Sequence, residues 1–157
     1  MGSSDGLDKH LEKILSFEKR FDLVFRDKGL LLAALYHSDP VLKKRFAVAG
    51  DKLLDFLLFD FLMDKGYSKG KLDCIRQRLN TDVSLARIGR DMGLSDFIIF
   101  PNSADVEERV TGDAYYNDTL EALVYVIMKD YGLDKVTQFA EEYIFSKIPE
   151  NEYGCEN

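Results

Sequence analysis

Residues 119–128 read TLEALVYVIM and contain one ionisable side chain, Glu121, which lies one helical turn after Asp118. A segment that is apolar on nearly every side predicts a helix enclosed by its neighbours. Residues three apart share a helix face, so the two carboxylates should point into the same small volume. Enclosing two like charges is unfavourable unless a proton, a basic side chain or a metal ion compensates for them. We therefore expect a counter-charge beside this pair, and the rest of the sequence favours a divalent cation.

Helical periodicity continues along the whole chain and predicts a single all-α domain. The expected helices span residues 7–17, 28–37, 51–65, 72–80, 82–92, 113–131 and 133–148. Ser38-Asp39-Pro40 should end the second helix, and Thr81 and Asp82 are alternative candidates for the cap of the fifth. Residues 97–100 (FIIF) suggest a short strand, and residues 101–110 are predicted to form a polar loop.

Composition and cysteine content indicate the class and the compartment. With 46% hydrophobic and 31% charged residues, the chain is typical of a globular domain rather than of a disordered one. It contains no membrane-length apolar run and no signal-peptide core, so we expect a cytoplasmic protein without a membrane partner. Cys74 and Cys155 lie far apart without metal-ligand spacing, which favours reduced thiols.

The charge distribution is uneven along the chain. A net charge of −7 argues mildly against a nucleic-acid partner. Basic residues nevertheless concentrate between Lys65 and Arg90, and Lys43-Lys44-Arg45 forms a second basic cluster. Solvated helix faces would explain any single one of these charges. Their segregation weakens the argument from net charge, because the distribution of charge matters more than its sum.

Gly50-Asp51 begins the most apolar predicted helix, and two interpretations of the aspartate are open. Asp51 could cap the helix by accepting hydrogen bonds from free backbone N–H groups. The preceding segment FAVAG is itself apolar, however, which favours an aspartate in the interior of the protein.

Around these acids the chain resembles the ribonuclease III family. Residues 45–58 (RFAVAGDKLLDFLL) are similar to its signature LEFLGD-x-x-L, and residues 117–127 (NDTLEALVYVI) to its later D-x-x-E-A segment. Residues 30–38 (LLLAALYHS) resemble its EALTHxS segment. The ordered series of similar blocks extends from Leu11 to about Ile148.

The resemblance implies an all-helical ribonuclease III endonuclease-domain fold, a two-fold symmetric homodimer and hydrolysis of double-stranded RNA without a nucleotide cofactor. It implies that Asp51, Asp118 and Glu121 are both the catalytic residues and the ligands of Mg²⁺, with Mn²⁺ able to substitute. Such cations prefer carboxylate oxygens, activate water and neutralise the charge that develops on the phosphate. The residues expected to contact RNA phosphates are Lys69, Lys71, Arg76, Arg78, Arg87 and Arg90. For Arg76, a structural role as the partner of a buried acid is an equal alternative.

Two departures from the family signature concern the metal site. Ala47 stands where the family usually has a glutamate, and Lys43-Lys44 replaces a neighbouring Asn-Glu. One carboxylate fewer predicts weaker metal binding and disfavours a second metal ion. In this respect the chain resembles the compact Mini-III enzymes and certain archaeal ribonuclease III-like proteins.

The family resemblance also suggests a division of the chain. We expect residues 1–6 to be a flexible N-terminus or a tag remnant, residues 7–148 a single catalytic domain and residues 149–157 an acidic tail. The double-stranded RNA-binding domain that many family members carry has no counterpart in this sequence. Either the catalytic domain holds RNA by itself, or the chain is truncated.

Two other functions compete with the nuclease. A catalytically weakened or inactive relative would keep the fold as an RNA- or protein-binding module, which Ala47 favours. A helical scaffold protein without a nucleic-acid role would show no salt-dependent affinity for RNA. The three retained acids argue against the inactive relative, since a domain without metal chemistry has little reason to bury them. In addition, two nearly all-apolar helices predict a dimer whose interface covers the excess apolar surface.

Overall fold

The computed structural model describes residues 3–36, 40–99 and 112–157, and within these ranges the chain forms seven α-helices. They are α1 (Ser3–Phe21), α2 (Lys28–Leu35), α3 (Pro40–Met63), α4 (Lys69–Leu79), α5 (Asp82–Asp91), α6 (Asp113–Tyr131) and α7 (Leu133–Tyr143). Short 3₁₀ turns lie at Leu94–Asp96, Phe145–Lys147 and Glu152–Gly154. The all-α prediction is confirmed. The predicted break at Ser38 and Asp39 and the predicted loop at 101–110 lie outside the described residues.

Local signals account for several of the helix ends. Thr81 accepts a hydrogen bond from the Ser84 N–H at 3.2 Å, so Thr81, one of the two predicted candidates, is the cap of α5. Gly132 ends α6 with a φ of 93°, a conformation that favours glycine. In the described part of the predicted strand, one parallel bridge forms, in which the Ile99 N–H donates to the Leu35 carbonyl at 2.9 Å.

The sequence predicted that this helix begins at Asp51, whereas α3 begins at Pro40. Proline is tolerated in the first turn of a helix, and the segment FAVAG continues the helix without a break. Asp51 therefore lies in the middle of α3, and its interpretation as a helix cap is wrong. Although α3 has 24 residues, neither it nor any other described helix combines the length and the hydrophobicity that crossing a membrane requires.

The helix α6 lies at the centre of the fold and packs against α2, α3, α5 and α7. Most of its apolar side chains are buried, as their all-round distribution predicts. The side chains with no exposed surface are Leu120, Ala122, Leu123, Val124, Val126 and Ile127. Because burying one leucine- or valine-sized side chain contributes about 1.5–3 kcal/mol, this helix is a main source of stability.

The helices α3 and α6 cross at Gly50, where their backbones are in direct contact. A Cβ atom at position 50 would lie 1.7 Å from the carbonyl oxygen of Glu121 and 2.6 Å from its carbonyl carbon. The obstacle is backbone inside a packed helix, which cannot rotate away as a side chain can. Glycine is therefore required at the crossing, and the crossing determines which residues of the two helices face each other.

The C-terminal segment folds back onto α4 and is cross-linked to it. Cys74 and Cys155 form a disulfide, with their Cα atoms 5.9 Å apart. The expectation of reduced thiols is wrong, because a separation of 81 residues gives no sign that the two segments meet in the fold. Glu152 adds an ion pair with Lys71 at 3.1 Å and accepts a hydrogen bond from the Tyr67 hydroxyl at 2.5 Å. The predicted acidic tail is thus held against the domain.

Replacing Gly50 with alanine should destabilise the protein by about 3 kcal/mol or more, because the added methyl group meets the α6 backbone. Gly70→Ala is the matched control, since the nearest atom to a Cβ at Gly70 is a side-chain oxygen 3.9 Å away. Because alanine favours a helix more than glycine does, Gly70→Ala should raise the free energy of unfolding by up to about 1 kcal/mol. Urea denaturation followed by circular dichroism measures both free energies of unfolding. Equal values for the two variants would contradict the close crossing.

Reduction of the disulfide should lower the free energy of unfolding by about 2–4 kcal/mol, since a cross-link between distant positions restricts the unfolded chain. Urea denaturation with and without dithiothreitol measures this difference. The Cys74→Ser/Cys155→Ser double variant is the control, and its stability should not respond to the reductant. Two free thiols in the denatured, unreduced protein would show that the cross-link does not form.

Candidate active site

The crossing of α3 and α6 brings the three predicted acids together. Asp51 follows Gly50 on α3, and Asp118 and Glu121 lie one turn apart on α6. All three line a cavity of about 300 Å³. The side chains of Asp51 and Asp118 are 33% and 21% exposed, so solvent reaches the cavity. Two separate segments of the sequence thus supply acids to one small volume.

Glu121 has the most perturbed carboxyl group of the three acids. Its burial, the charge of Asp51 with a hydrogen bond to that residue, and the charge of Asp118 together raise the pKa of Glu121 to about 8. The Lys44 ammonium group lowers this pKa but does not outweigh the other effects. At neutral pH the Glu121 carboxyl therefore holds a proton, which reduces the repulsion among the acids.

Two lysines provide further counter-charge. The Nζ of Lys44 lies 3.1 Å and 3.3 Å from the two carboxylate oxygens of Asp118. Lys43 is 1% exposed, and burial lowers its pKa to about 8 although the charge of Asp118 opposes the shift. The basic cluster predicted at residues 43–45 is thus divided, with Lys43 inside the protein and Lys44 at the acid cavity.

Asn80, which no motif in the sequence marks, lines the same cavity from the end of α4. Its amide nitrogen donates a short hydrogen bond to Asp55, which also pairs with Arg76 at 3.6 Å. An ionised carboxylate only accepts hydrogen bonds, so Asp55 fixes the amide nitrogen on its side and turns the amide oxygen away. This oxygen is buried and has no hydrogen-bond partner among the described residues. Because asparagine is common at helix ends, nothing in the sequence marked Asn80 as a residue of this cavity.

The acids do not form a ready metal site as they stand. Among the described side chains, no group of three His, Cys, Asp or Glu residues is arranged so that it could hold a metal ion. Asp118 is engaged by Lys44, and Glu121 is hydrogen-bonded to Asp51. Oxygen donors of the kind that Mg²⁺ prefers are nevertheless gathered in one cavity. Their use as ligands therefore depends on side-chain rotation.

The six basic residues predicted to contact RNA fall into two groups. Four of them form ion pairs within the protein: Lys69 with Asp73 at 2.7 Å, Lys71 with Glu152 at 3.1 Å, Arg76 with Asp55 at 3.6 Å and Arg90 with Asp113 at 2.7 Å. Arg76 therefore has an acidic partner, which is one of its two predicted roles. Arg78 and Arg87 are exposed, and neither forms an ion pair with another described residue.

Both the sequence and the fold are similar to known proteins. A family model described as "Ribonuclease-III-like" matches residues 27–148. The chain is 30% identical over 146 residues to ribonuclease 3 of Mycoplasma genitalium, a match that covers 87% of this chain and 54% of that protein. It is 31% identical over 120 residues to ribonuclease 3 of Methylococcus capsulatus, which covers 74% of this chain and 52% of that protein. The chain thus spans about half the length of these curated relatives.

A solved structure of the nuclease domain of ribonuclease III from Campylobacter jejuni has the same fold. It superposes with a TM-score of 0.76 at 26% sequence identity, and the match covers 88% of this chain and 99% of that chain. The family resemblance seen in the two acid-bearing segments is confirmed by this likeness and by the family model. With that model matched across residues 27–148, this chain belongs to the ribonuclease-III-like family.

Proposed function

We propose that this chain is a divalent-metal-dependent endoribonuclease that hydrolyses phosphodiester bonds of double-stranded RNA and acts as a homodimer. The observation that supports this most directly is the meeting of Asp51, Asp118 and Glu121 in one cavity at the α3–α6 crossing. We assign these acids as catalytic residues and metal ligands, within a catalytic domain at residues 7–148. A cytoplasmic location stays a prediction.

The chemistry of the cavity suits a hard divalent cation. Mg²⁺ prefers carboxylate oxygens and keeps several waters, and Mn²⁺ accepts the same donors. The buried amide oxygen of Asn80 lacks a partner within the described residues and is a further neutral donor for a cation or for its water. When bound, the cation would activate water and neutralise the negative charge that develops on the phosphate.

The side chains of the cavity must change partners to receive a cation. Glu121 would release its proton, and Asp118 would exchange Lys44 for the cation. The helices need not move, because the backbone contact at Gly50 holds the positions of Asp51 and Glu121 while the side chains rotate. With the backbone fixed, rotation of the carboxylates would complete the site when a cation binds.

Arg78 and Arg87 are the residues that we favour for contacts with RNA phosphates. Both are exposed, and no carboxylate among the described residues pairs with them. Duplex RNA is recognised mainly through its shape, phosphates and 2′-hydroxyls, so a basic helical surface suits it. Affinity that comes from phosphate contacts falls steeply as salt is raised. The other four predicted contacts would have to leave their carboxylate partners to bind RNA.

An exposed apolar face of α3 supports the dimer. Val41, Val48, Phe56 and Met63 are 70%, 56%, 54% and 61% exposed, and their spacing of seven or eight residues places them on one side of the helix. Aligned apolar side chains of this kind mark interaction surfaces. A cavity of about 890 Å³ opens beside Val41 and Val48. The occupant that we propose for this face is a second copy of the chain.

A binding module without nuclease activity is the second candidate. Two observations favour it: Lys44 already neutralises Asp118, and Ala47 adds no carboxylate to the cavity that it lines. Calorimetric titration with Mn²⁺ distinguishes the candidates. Metal binding supports the nuclease, whereas RNA binding without metal binding supports the module.

Asp51→Asn, Asp118→Asn and Glu121→Gln should each reduce Mg²⁺-dependent cleavage of duplex RNA by about 100-fold or more, because each removes a charged oxygen ligand. Asp60→Asn changes an exposed acid on the same helix as Asp51 and should cleave at the parent rate. Single-turnover gel assays measure the rates, and circular dichroism verifies folding. Undiminished cleavage by all three variants would exclude these acids from the catalytic site.

The raised pKa of Glu121 predicts a pH-dependent stability in the absence of metal. The folded protein keeps this proton up to about pH 8, whereas the unfolded chain loses it near the ordinary pKa of 4.5. The stability gained from protonation is complete below about pH 4.5 and is lost as the pH rises to about 8. The loss should be on the order of 2 kcal/mol, a value reduced for the partial exposure of Glu121.

Urea denaturation in EDTA between pH 5 and about pH 8 measures this loss. The reference is Glu121→Gln, whose side chain has no titrating carboxyl but can still form a hydrogen bond with Asp51. Subtracting the free energy of unfolding of this variant from that of the parent cancels the contributions of other groups. A difference that does not change with pH would show that Glu121 has an ordinary pKa.

Phe56→Glu should convert the dimer into a monomer, since a charge in the middle of the apolar face cannot be buried without a partner. Val24→Glu is the control, because Val24 is 63% exposed and lies outside α3. Sedimentation equilibrium at micromolar concentration measures the mass of each protein. A monomeric parent, or a Phe56→Glu protein that still dimerises, would be inconsistent with the proposed interface.

A further inference from the structure

Lys44 lies on the same side of α3 as Asp51, two helical turns earlier, and reaches across to α6. Its ammonium group contacts both carboxylate oxygens of Asp118, at 3.1 Å and 3.3 Å. Both residues line the cavity of the three acids. Asp118, one of the proposed metal ligands, therefore already has a cation beside it that the chain itself supplies.

The neighbouring basic residues on α3 do not make an equivalent contact. The Nζ of Lys52 is 3.7 Å from a carboxylate oxygen of Asp51, which is longer than a hydrogen bond. Arg45 is exposed, and no ion pair joins it to another described residue. Of these three basic residues, Lys44 is therefore the one that lies within hydrogen-bond distance of an acid of the cavity.

The wall of the cavity beside Lys44 contributes no compensating acid. Ala47 lies one turn after Lys44, lines the same cavity and is 2% exposed. The carboxylates in the lining are those of Asp51, Asp118 and Glu121, and Lys44 engages one of them. A divalent cation in this cavity would therefore find one of the three carboxylates, that of Asp118, already paired with Lys44.

We propose that Lys44 is a built-in counter-cation of the acid cavity, which holds Asp118 in the absence of metal and competes with a divalent cation for its oxygens. The inference rests on the proposed metal centre and extends it to a positioning residue that determines cation affinity. The Lys44 side chain is 65% exposed and can return to water. Since an exposed ion pair contributes only about 0–1 kcal/mol, Lys44 weakens cation binding without preventing it.

The test is calorimetric titration of the full chain with Mn²⁺ in the absence of RNA. Lys44→Gln removes the competing charge and should bind Mn²⁺ about three- to fivefold more tightly than the parent. Lys44→Arg keeps a cation at this position and should retain the weaker affinity of the parent. Arg45→Gln is the matched control, because it removes the same charge from the adjacent position of α3, and its affinity should change by less than about twofold.

The outcomes separate this inference from the proposed function. Measurable Mn²⁺ binding that is equal in the parent and Lys44→Gln would overturn the competition while leaving the metal centre in place. Weaker binding by Lys44→Gln would also overturn it, and would show that Lys44 supports the ligand Asp118. Equally tighter binding by Lys44→Gln and Arg45→Gln would also overturn it, because the gain in affinity would then come from the change in net charge and not from the contact with Asp118. No binding by any variant would overturn both the inference and the metal centre, and thermal denaturation would verify that each variant is folded.

Discussion

Any side chain at position 50 would collide with the carbonyl group of Glu121, and this backbone contact between α3 and α6 governs the rest of the molecule. The contact places α6 within reach of α3 while its apolar side chains fill the centre of the domain. Asp51 is the next residue after Gly50, and Glu121 is the contacted residue itself. The closest approach of the two helices is therefore also the place where the acids meet. One steric requirement determines both the packing of the core and the position of the candidate active site.

The three acids are compatible with this packing because the protein compensates their charge in different ways. Glu121 holds a proton, since its burial and the charges of Asp51 and Asp118 raise its pKa to about 8. Asp118 is paired with Lys44, and the buried Lys43 adds a second positive charge nearby. In the signature of the family these two lysines replace an Asn-Glu pair. This member of the ribonuclease-III-like family thus combines three retained acids, one on α3 and two on α6, with two lysines of α3. A cation would have to compete with these counter-charges of the protein itself.

The helix α4 connects the acid cavity to the C-terminal segment. At one side, Cys74 is cross-linked to Cys155, and Lys71 pairs with Glu152. At its end, Asn80 lines the acid cavity, and its amide oxygen is buried. Restraints on α4 from the C-terminal segment therefore also restrain one wall of the candidate active site. Such support from residues outside the site holds functional side chains in a defined geometry.

The sequence by itself determined that the chain is all-α, where most helices lie and that Asp118 and Glu121 share a face, because periodicity and isolated charges are local properties of a segment. It left two interpretations of Asp51 open, since a helix cap and a mid-helix acid look alike until the start of the helix is known. Only the tertiary structure decided that Cys74 meets Cys155, that Lys44 pairs with Asp118 and that Asn80 lines the same cavity as the acids. Each of these contacts joins segments far apart in the chain, and the distance between such segments is determined by the packing of all the helices together rather than by any local pattern.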